Sequence, residues 1–539
     1  MVFEVKCTDL AARIGKLSTP HGSFETPAFV PVIHPVKQQI TPNFLKSLGF
    51  QCIITNAYIT FKHYGDEARK RGIHDIVNFD GPIMTDSGGY QVLEYGKVNV
   101  TPSTMAQFEL DIGSDVPVPL DKPTGYGLSF DIAKSYVNET NSNIDETIAV
   151  IRNNKSKNAG DYNTNTPDII SKDDPLSSKG ELWTGTIQGA EHFDLVRQSA
   201  SFLDKRGFSF FAIGSPVELM ESYEFSILSR LIETTKLTIS NKPIHLFGAG
   251  HPLTIPLAVA LGCDTFDSAS YILYAKANRY MSSAGTLRLE DLTYLPCCCP
   301  VCSYYTVKEL NEEDDITRTI NIAKHNLYVL KQEMSAVKQA IYDGRLWEYV
   351  LQKARSHPKL MDAIHAIKNF EYIQQGTPLF KQKAIYLFEP IDQFRPELKN
   401  FRKMLINNYS FPAKRNSLLL YPDHAVRPFY SSSILKRLYE EFPDTSICLY
   451  NPFFGLIPVE ISDIYPASHN VFVKNFDEYR STDYTEFLNL LNSFLKNHTF
   501  KSIYIVSNKF MNGLIPHLRT LESTEVKIED FESFKVKLR

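Results

Sequence analysis

The feature that most constrains this 539-residue chain is a rhythm in its first 270 positions. Short β-rich runs recur there, each followed by polar or helix-forming sequence. Eight are counted: Phe24–Ile33, Ile53–Tyr58, Ile83–Asp86, Val116–Asp121, Leu182–Gln188, Phe210–Ser215, Ile244–Gly250 and Thr265–Ser270. Segments with helical character lie between them, among them Pro42–Leu48, Ser103–Asp111, Ile144–Ile151, Phe193–Arg206 and Tyr223–Thr235. Strand alternating with helix implies a parallel sheet, because parallel neighbours need a crossover long enough for a helix. Eight such units over about 250 residues fit a (β/α)8 barrel. A doubly wound open sheet is the rival, but no GxGxxG turn follows the first strand to make it dinucleotide-binding.

In a barrel of this kind the chemistry gathers at the C-terminal ends of the strands. The third run ends at Asp86, the fourth at Asp121 and the fifth at Gln188-Gly189. The sixth ends at Gly214-Ser215, the seventh at Gly248-Ala249-Gly250-His251, and the eighth contains Asp267. Such a set suits a guanine-like base. A carboxylate accepts from its N1–H and N2–H2 together, and an amide or backbone N–H donates to O6. Glycines let backbone approach the ring. Two further carboxylates flanking a sugar can split a glycosidic bond, one as nucleophile and one as acid/base. Each residue also has a plainer reading. An Asp at a strand end is often a helix N-cap, and Asp86-Ser-Gly-Gly also reads as a turn. Convergence of several independent strand ends favours the site.

Of eight cysteines, Cys297, Cys298, Cys299 and Cys302 fall within six residues. Thiols that close in sequence do not staple distant loops. With His325 on the first turns of the next helix, Cys297-x-Cys299-x-x-Cys302 forms a Cys3His set of the structural-zinc type, although Cys298 leaves the choice of thiols open. Zinc here fastens a loop to a helix and takes no part in catalysis.

The expected organisation is a catalytic barrel over 1–290, a zinc-binding and helical subdomain over 291–370, and a separate α/β accessory domain over 379–539. Asn153 to Gly180, rich in Asn, Ser, Lys and Asp, reads as a long surface insertion. No apolar run reaches transmembrane length, and the N-terminus lacks a signal-peptide pattern, so a cytoplasmic location with no membrane partner is expected. The net charge of −4 does not advertise nucleic-acid binding, which depends on local basic patches.

These residues also carry a family resemblance. MTDSGGYQ (84–91), TGTIQG (184–189), FAIGSPVELMESYEF (211–225), HLFGAGHP (245–252), GCDTFDSASY (262–271), the CxCxxC with His325, and LWEYVLQKARSHP (346–358) occur in this order. Together they resemble the tRNA-guanine transglycosylases, and more closely the archaeal branch that modifies guanine 15 of the D-arm on the way to archaeosine. Bacterial members carry a Cys two residues after the Asp121 position; Pro123 here sides with the archaeal branch. The piece NPFFGLIPVEISDIYP (451–466) is similar to the accessory domain of archaeal transglycosylases and archaeosine synthases.

The resemblance implies a (β/α)8 barrel with a zinc subdomain and an exchange, without ATP, of guanine for 7-cyano-7-deazaguanine in tRNA. It implies Asp267 as nucleophile on the ribose, and Asp86 as the acid that protonates the leaving guanine and deprotonates the incoming base. Asp121, Gln188, Gly214, Ser215 and Ser87 are the implied base-binding positions. The resemblance also implies a homodimer formed through the zinc region. The glycine-containing basic pattern of the family's RNA-binding PUA module is not found in the last 75 residues, so either a separate chain bearing it or the remaining domains are expected to bind tRNA. Lys353, Arg355 and Lys359 are expected as an RNA-binding cluster, with a solvated helix face as the alternative. Two other functions compete: a catalytically silent tRNA-binding subunit, which would lack one of the three acids, and a queuine-type anticodon exchanger, which would lack the accessory domain.

Overall fold

The structure, a computed structural model, describes residues 2–89, 100–158, 176–411, 415–424, 426–473, 484–518, 525–530 and 533–534. Tyr90 and Gln91 of the MTDSGGYQ motif lie outside them.

Three antiparallel strands come first: β1 (Phe3–Asp9), β2 (Ala12–Thr19) and β3 (Gly22–Thr26). Eight strands follow: β4 (Ala28–Ile33), β5 (Ile53–Asn56), β6 (Ile83–Asp86), β7 (Val116–Pro117), β8 (Thr184–Ile187), β9 (Phe210–Ile213), β10 (Ile244–Leu246) and β11 (Thr265–Ser268). They form one parallel sheet in the order β7-β6-β5-β4-β11-β10-β9-β8, so the first strand of the series adjoins the last. The two ends, β7 and β8, meet where the Leu182 N–H donates to the Asp115 carbonyl at 2.8 Å. This is the expected barrel, nearly closed.

Two differences from the expected strands have physical causes. The run Phe24–Ile33 is broken at Pro27, whose missing N–H ends one ladder; its first part joins the N-terminal sheet and its second opens the barrel. The run Val116–Asp121 contains Pro117 and Pro119, so only Val116–Pro117 is laddered and Asp121 lies on the segment beyond. The N-terminal hairpin plugs the barrel's lower end. Leu17 and Phe24 are buried in one cluster with Val30, Ile54, Met84, Val116 and Phe210, each worth about 1.5–3 kcal/mol of apolar burial. That plug leaves the opposite end of the strands for a ligand.

The segment expected as an insertion from Asn153 begins as helix: Phe130–Asn158 is one continuous element, and 159–175 lie outside the described residues. After the barrel come the hairpin β12 (Arg279–Ser282) and β13 (Gly285–Arg288), the cysteine segment, and the helix Asp315–Tyr342. The block from Arg345 to Lys368 divides at Pro358 into helices Leu346–Ala354 and Pro358–Ile367. All of this is one compact unit, Met1–Tyr372, and Ile373–Arg539 is a second. The second unit holds β14 (Ile385–Leu387) paired with β18 (Asn470–Phe472). Its main sheet joins β15 (Ser417–Pro422), β16 (Thr445–Asn451), β17 (Gly455–Pro458), β19 (Ser502–Ser507) and β20 (Glu525–Asp530) in the order β17-β16-β15-β19-β20. It is parallel except at β16/β17, which makes it the expected α/β accessory domain.

Candidate active site

Asp86 closes β6. Its Oδ1 accepts from the Gly88 N–H at 3.2 Å, and its Oδ2 accepts from Asn56 Nδ2 at 3.0 Å. Asn56 ends the neighbouring strand β5 and is held by its other amide atom, Oδ1, which accepts from the Ile59 N–H and caps the helix Ala57–Tyr64. One side chain thus starts a helix and fixes an acid. Burial pushes the Asp86 carboxyl up to about 6. The negative charge of Asp267 adds to the rise, while the Gly88 and Asn56 donors oppose it.

Asp121 accepts from Gln188 Nε2 at 2.6 Å. Gln188 is 1% exposed, and its orientation is fixed because its Oε1 accepts three times. The donors are the Thr124 N–H at 2.9 Å, the Thr124 hydroxyl at 2.8 Å and the Ser215 hydroxyl at 3.2 Å. The amide NH2 therefore faces Asp121, and among the described residues its second N–H has no acceptor, so it can serve a ligand. Burial and the charge of Asp86 push Asp121 up to about 7, against the Gln188 donor.

Glycines make these approaches possible. A Cβ on Gly89 would lie 2.1 Å from Asp121 Oδ1, and one on Gly214 would lie 2.4 Å from Gln188 Nε2. Ser215 sits at φ 57, a left-handed conformation that turns the chain back beside Gln188. Ser87 is buried, and its hydroxyl finds no partner among the described residues, as befits a group that awaits one from a ligand.

Asp267 lies on β11, 8% exposed. Its Oδ1 accepts from the Gly248 N–H at 2.9 Å and lies 3.0 Å from Nε2 of His245, which therefore donates to it. The three acids, on β6, just beyond β7 and on β11, act in one electrostatic field, since Asp267 raises Asp86 and Asp86 raises Asp121. One raised acid, a second carboxylate held by two donors and a rigid carboxylate–amide pair can protonate a leaving group, attack a carbon and read a base edge.

Sequence reasoning missed Asn56, Thr124 and His245. Asn56, an Asn between a strand and a helix, carried an N-cap signal. Thr124 and His245 carried none; only the fold brings them to Gln188 and Asp267.

The structure brings Cys297, Cys299, Cys302 and His325 together, with their ligand atoms within 4.8 Å of one another. His325 Nδ1 lies 3.5 Å from Cys299 Sγ and 3.3 Å from Cys302 Sγ. Its Nε2 donates to the Met281 carbonyl at 2.8 Å, the outer-shell bond that orients a ligating imidazole. This group can hold a metal ion. Cys298 is exposed and lies outside this cluster. His325 stands well inside the helix Asp315–Tyr342.

The expected cation cluster is corrected. Lys353 is buried, ion-paired to Glu333 at 2.5 Å and donating to the Ser283 carbonyl at 2.8 Å. It is part of the interior and not of an exposed basic face with Arg355 and Lys359, which are both exposed. Among the described residues no helix is long and apolar enough to cross a membrane.

Residues 7–359 match the family model described as TGT, queuine tRNA-ribosyltransferase. A tRNA-guanine(15) transglycosylase of Sulfolobus acidocaldarius is 37% identical over 94% of this chain and 95% of its own length. One from Pyrobaculum aerophilum is 36% identical over 97% and 99%. One from Methanocaldococcus jannaschii is 38% identical over 88% of this chain but only 69% of its own length. The chain belongs to the TGT family, the tRNA-guanine transglycosylases, enzymes that exchange a guanine base in tRNA.

Proposed function

We propose that this enzyme replaces guanine 15 in the D-arm of tRNA with 7-cyano-7-deazaguanine, a step toward archaeosine. The observation that carries this reading is the arrangement of Asp86, Asp121, Gln188 and Asp267 at one end of the barrel, in a chain that matches tRNA-guanine(15) transglycosylases over nearly its whole length.

In the reaction, Asp121 accepts from N1–H and N2–H2 of the flipped base, and the free N–H of Gln188 donates to O6. Gly214 and Ser215 lay backbone along the ring, and Ser87 supplies a further polar contact. An Asp267 oxygen bonds to C1′ of the ribose as the C1′–N9 bond breaks and its electron pair leaves with guanine. Protonated Asp86 gives that guanine its proton. The incoming base then loses a proton to Asp86 and attacks C1′, and the bonding pair of the ester returns to Asp267. Two displacements retain the β-configuration. No ATP is consumed, because one glycosidic bond replaces another.

Cys297, Cys299, Cys302 and His325 have the soft, closed donor set of a structural zinc site. Zinc there would bind the cysteine loop to the helix Asp315–Tyr342 and contribute folding energy only. A homodimer, for which exposed Tyr294, Tyr304 and Ile316 offer apolar surface, a separate PUA-bearing chain, Arg355 and Lys359 as RNA contacts, and a cytoplasmic location complete the proposal.

The test is release of label from tRNA carrying radiolabelled guanine at position 15, with and without 7-cyano-7-deazaguanine. Release that depends on the added base supports the reading. No release from position 15, with release from an anticodon guanine, would replace it with queuine-type exchange; no release from either would leave a silent subunit.

A further inference from the structure

We infer that His245 is a positioning residue for the nucleophile: it fixes the Asp267 carboxylate so that one defined oxygen, Oδ2, attacks the ribose. This inference rests on the base-exchange reading above.

The register of the sheet places it there. His245 on β10 pairs with Thr265 on β11, and Asp267 lies two residues further along β11, on the same face as Thr265. A ring on that face of β10 spans both. Its Nδ1 is 2.9 Å from Thr265 Oγ1, and its Nε2 is 3.0 Å from Asp267 Oδ1. The imidazole is 0% exposed and is walled by Phe247, edge-on at 4.7 Å, and Phe210 at 6.3 Å. Both ring nitrogens are committed, so the ring does not turn.

The consequence falls on the two oxygens of Asp267. Oδ1 accepts from His245 and from the Gly248 N–H, whereas Oδ2 receives no donor from the described residues. Lone pairs engaged by two donors are poorer nucleophiles, so the C1′–O bond forms through Oδ2. When the incoming base breaks that bond, its electron pair returns to the carboxylate. The charge then spreads onto Oδ1, where two oriented N–H groups already wait. Donors placed where charge develops need no reorganisation at the moment of reaction. A buried histidine satisfied at both nitrogens is also a good structural residue, so the test must separate the two roles.

His245→Leu keeps bulk and removes the donor; His245→Gln can return an N–H to Oδ1; Thr265→Val removes the group that orients the ring. Kinetics of guanine exchange into tRNA are compared with thermal melting. His245→Leu is expected to lower kcat about 10²-fold, the usual cost of a lost donor or a misplaced reacting group, with KM for tRNA within about twofold. His245→Gln is expected to recover most of that loss, and Thr265→Val to lower kcat less, again without moving KM. Wild-type kcat in His245→Leu would overturn the inference. So would a Gln variant no faster than Leu, or losses that follow melting temperature alone. If His245→Leu does not fold, the Gln and Thr265→Val variants decide by the same kcat-against-KM criterion. Absence of exchange by the wild-type enzyme would instead sink the base-exchange reading itself.

Discussion

A methyl group on Gly89 would stand 2.1 Å from Asp121 Oδ1, well inside contact distance, and on the other side Asp121 is held by Gln188. Gly89→Ala should therefore displace the base-reading carboxylate and lower kcat/KM for tRNA at least about 10-fold, as misplacement near the reacting groups does, while melting changes little. Activity equal to wild type would show that Asp121 is not held as described. The two raised acids give a second prediction. Asp86, near 6, must be protonated to serve as acid, and Asp121, near 7, must be ionised to read N1–H and N2–H2. The active form thus has the lower-pKa group protonated and the higher-pKa group ionised. kcat/KM, which reports the free enzyme, should peak between about pH 6 and 7 and fall on both sides; a profile flat from about pH 5 to 9 would contradict the assignment. Asp86, Asp121 and Gln188 were legible as candidates because they end apolar runs, and Asp267 because a carboxylate inside an apolar run stands out and matches the family motif. His245 was not, because it sits within a run like any core residue, and its role comes from the β10–β11 register.

Among the secondary-structure elements, the turn between β2 and β3 is tied to the barrel base through Asp115. That fully buried carboxylate accepts from the His21 N–H at 2.8 Å and the Ile83 N–H at 2.9 Å, and lies 2.9 Å from a ring nitrogen of both His21 and His74. Burial alone would raise its pKa, but the donors from His21, His74 and Ile83 outweigh burial and hold it at about 2. Its contribution, about 2 kcal/mol by linkage, is present above the unfolded value near 4 and lost as pH falls toward 2. His21 is raised by its bond to Asp115, despite partial burial. Its share is full below about 6.5 and lost as pH rises through its folded value. The stability difference between wild type and His21→Ala should thus be largest between about pH 4 and 6.5; a difference that grows above pH 8 would refute the pair. The eight strands were readable from their apolar runs. The hairpin that supplies His21 was not, since Phe24–Ile33 looked like one strand and Pro27 divides it between two sheets.

For the whole molecule, the Cys3His group brings the segment after the barrel against a long helix within the first unit, and the proposed zinc would fasten the two. Purified enzyme should carry one zinc per chain. Cys302→Ser should lose it and melt markedly lower, and Cys298→Ser should keep it; metal lost equally from both would contradict the ligand set. A chain of net charge −4 must bind nucleic acid through local basic patches. Spacing along a helix could not show that Lys353 folds inward onto Glu333, whereas the accessory domain was legible from its own strand–helix alternation. The central claim, that Asp267 and not Asp86 attacks the ribose, is tested most directly by trapping. Enzyme and tRNA are quenched with denaturant while the incoming base is withheld, and the RNA-linked peptide is identified by mass spectrometry. The predicted peptide contains Asp267, and Asp267→Asn abolishes the adduct. An adduct on the Asp86 peptide, or one that survives Asp267→Asn, would contradict the account.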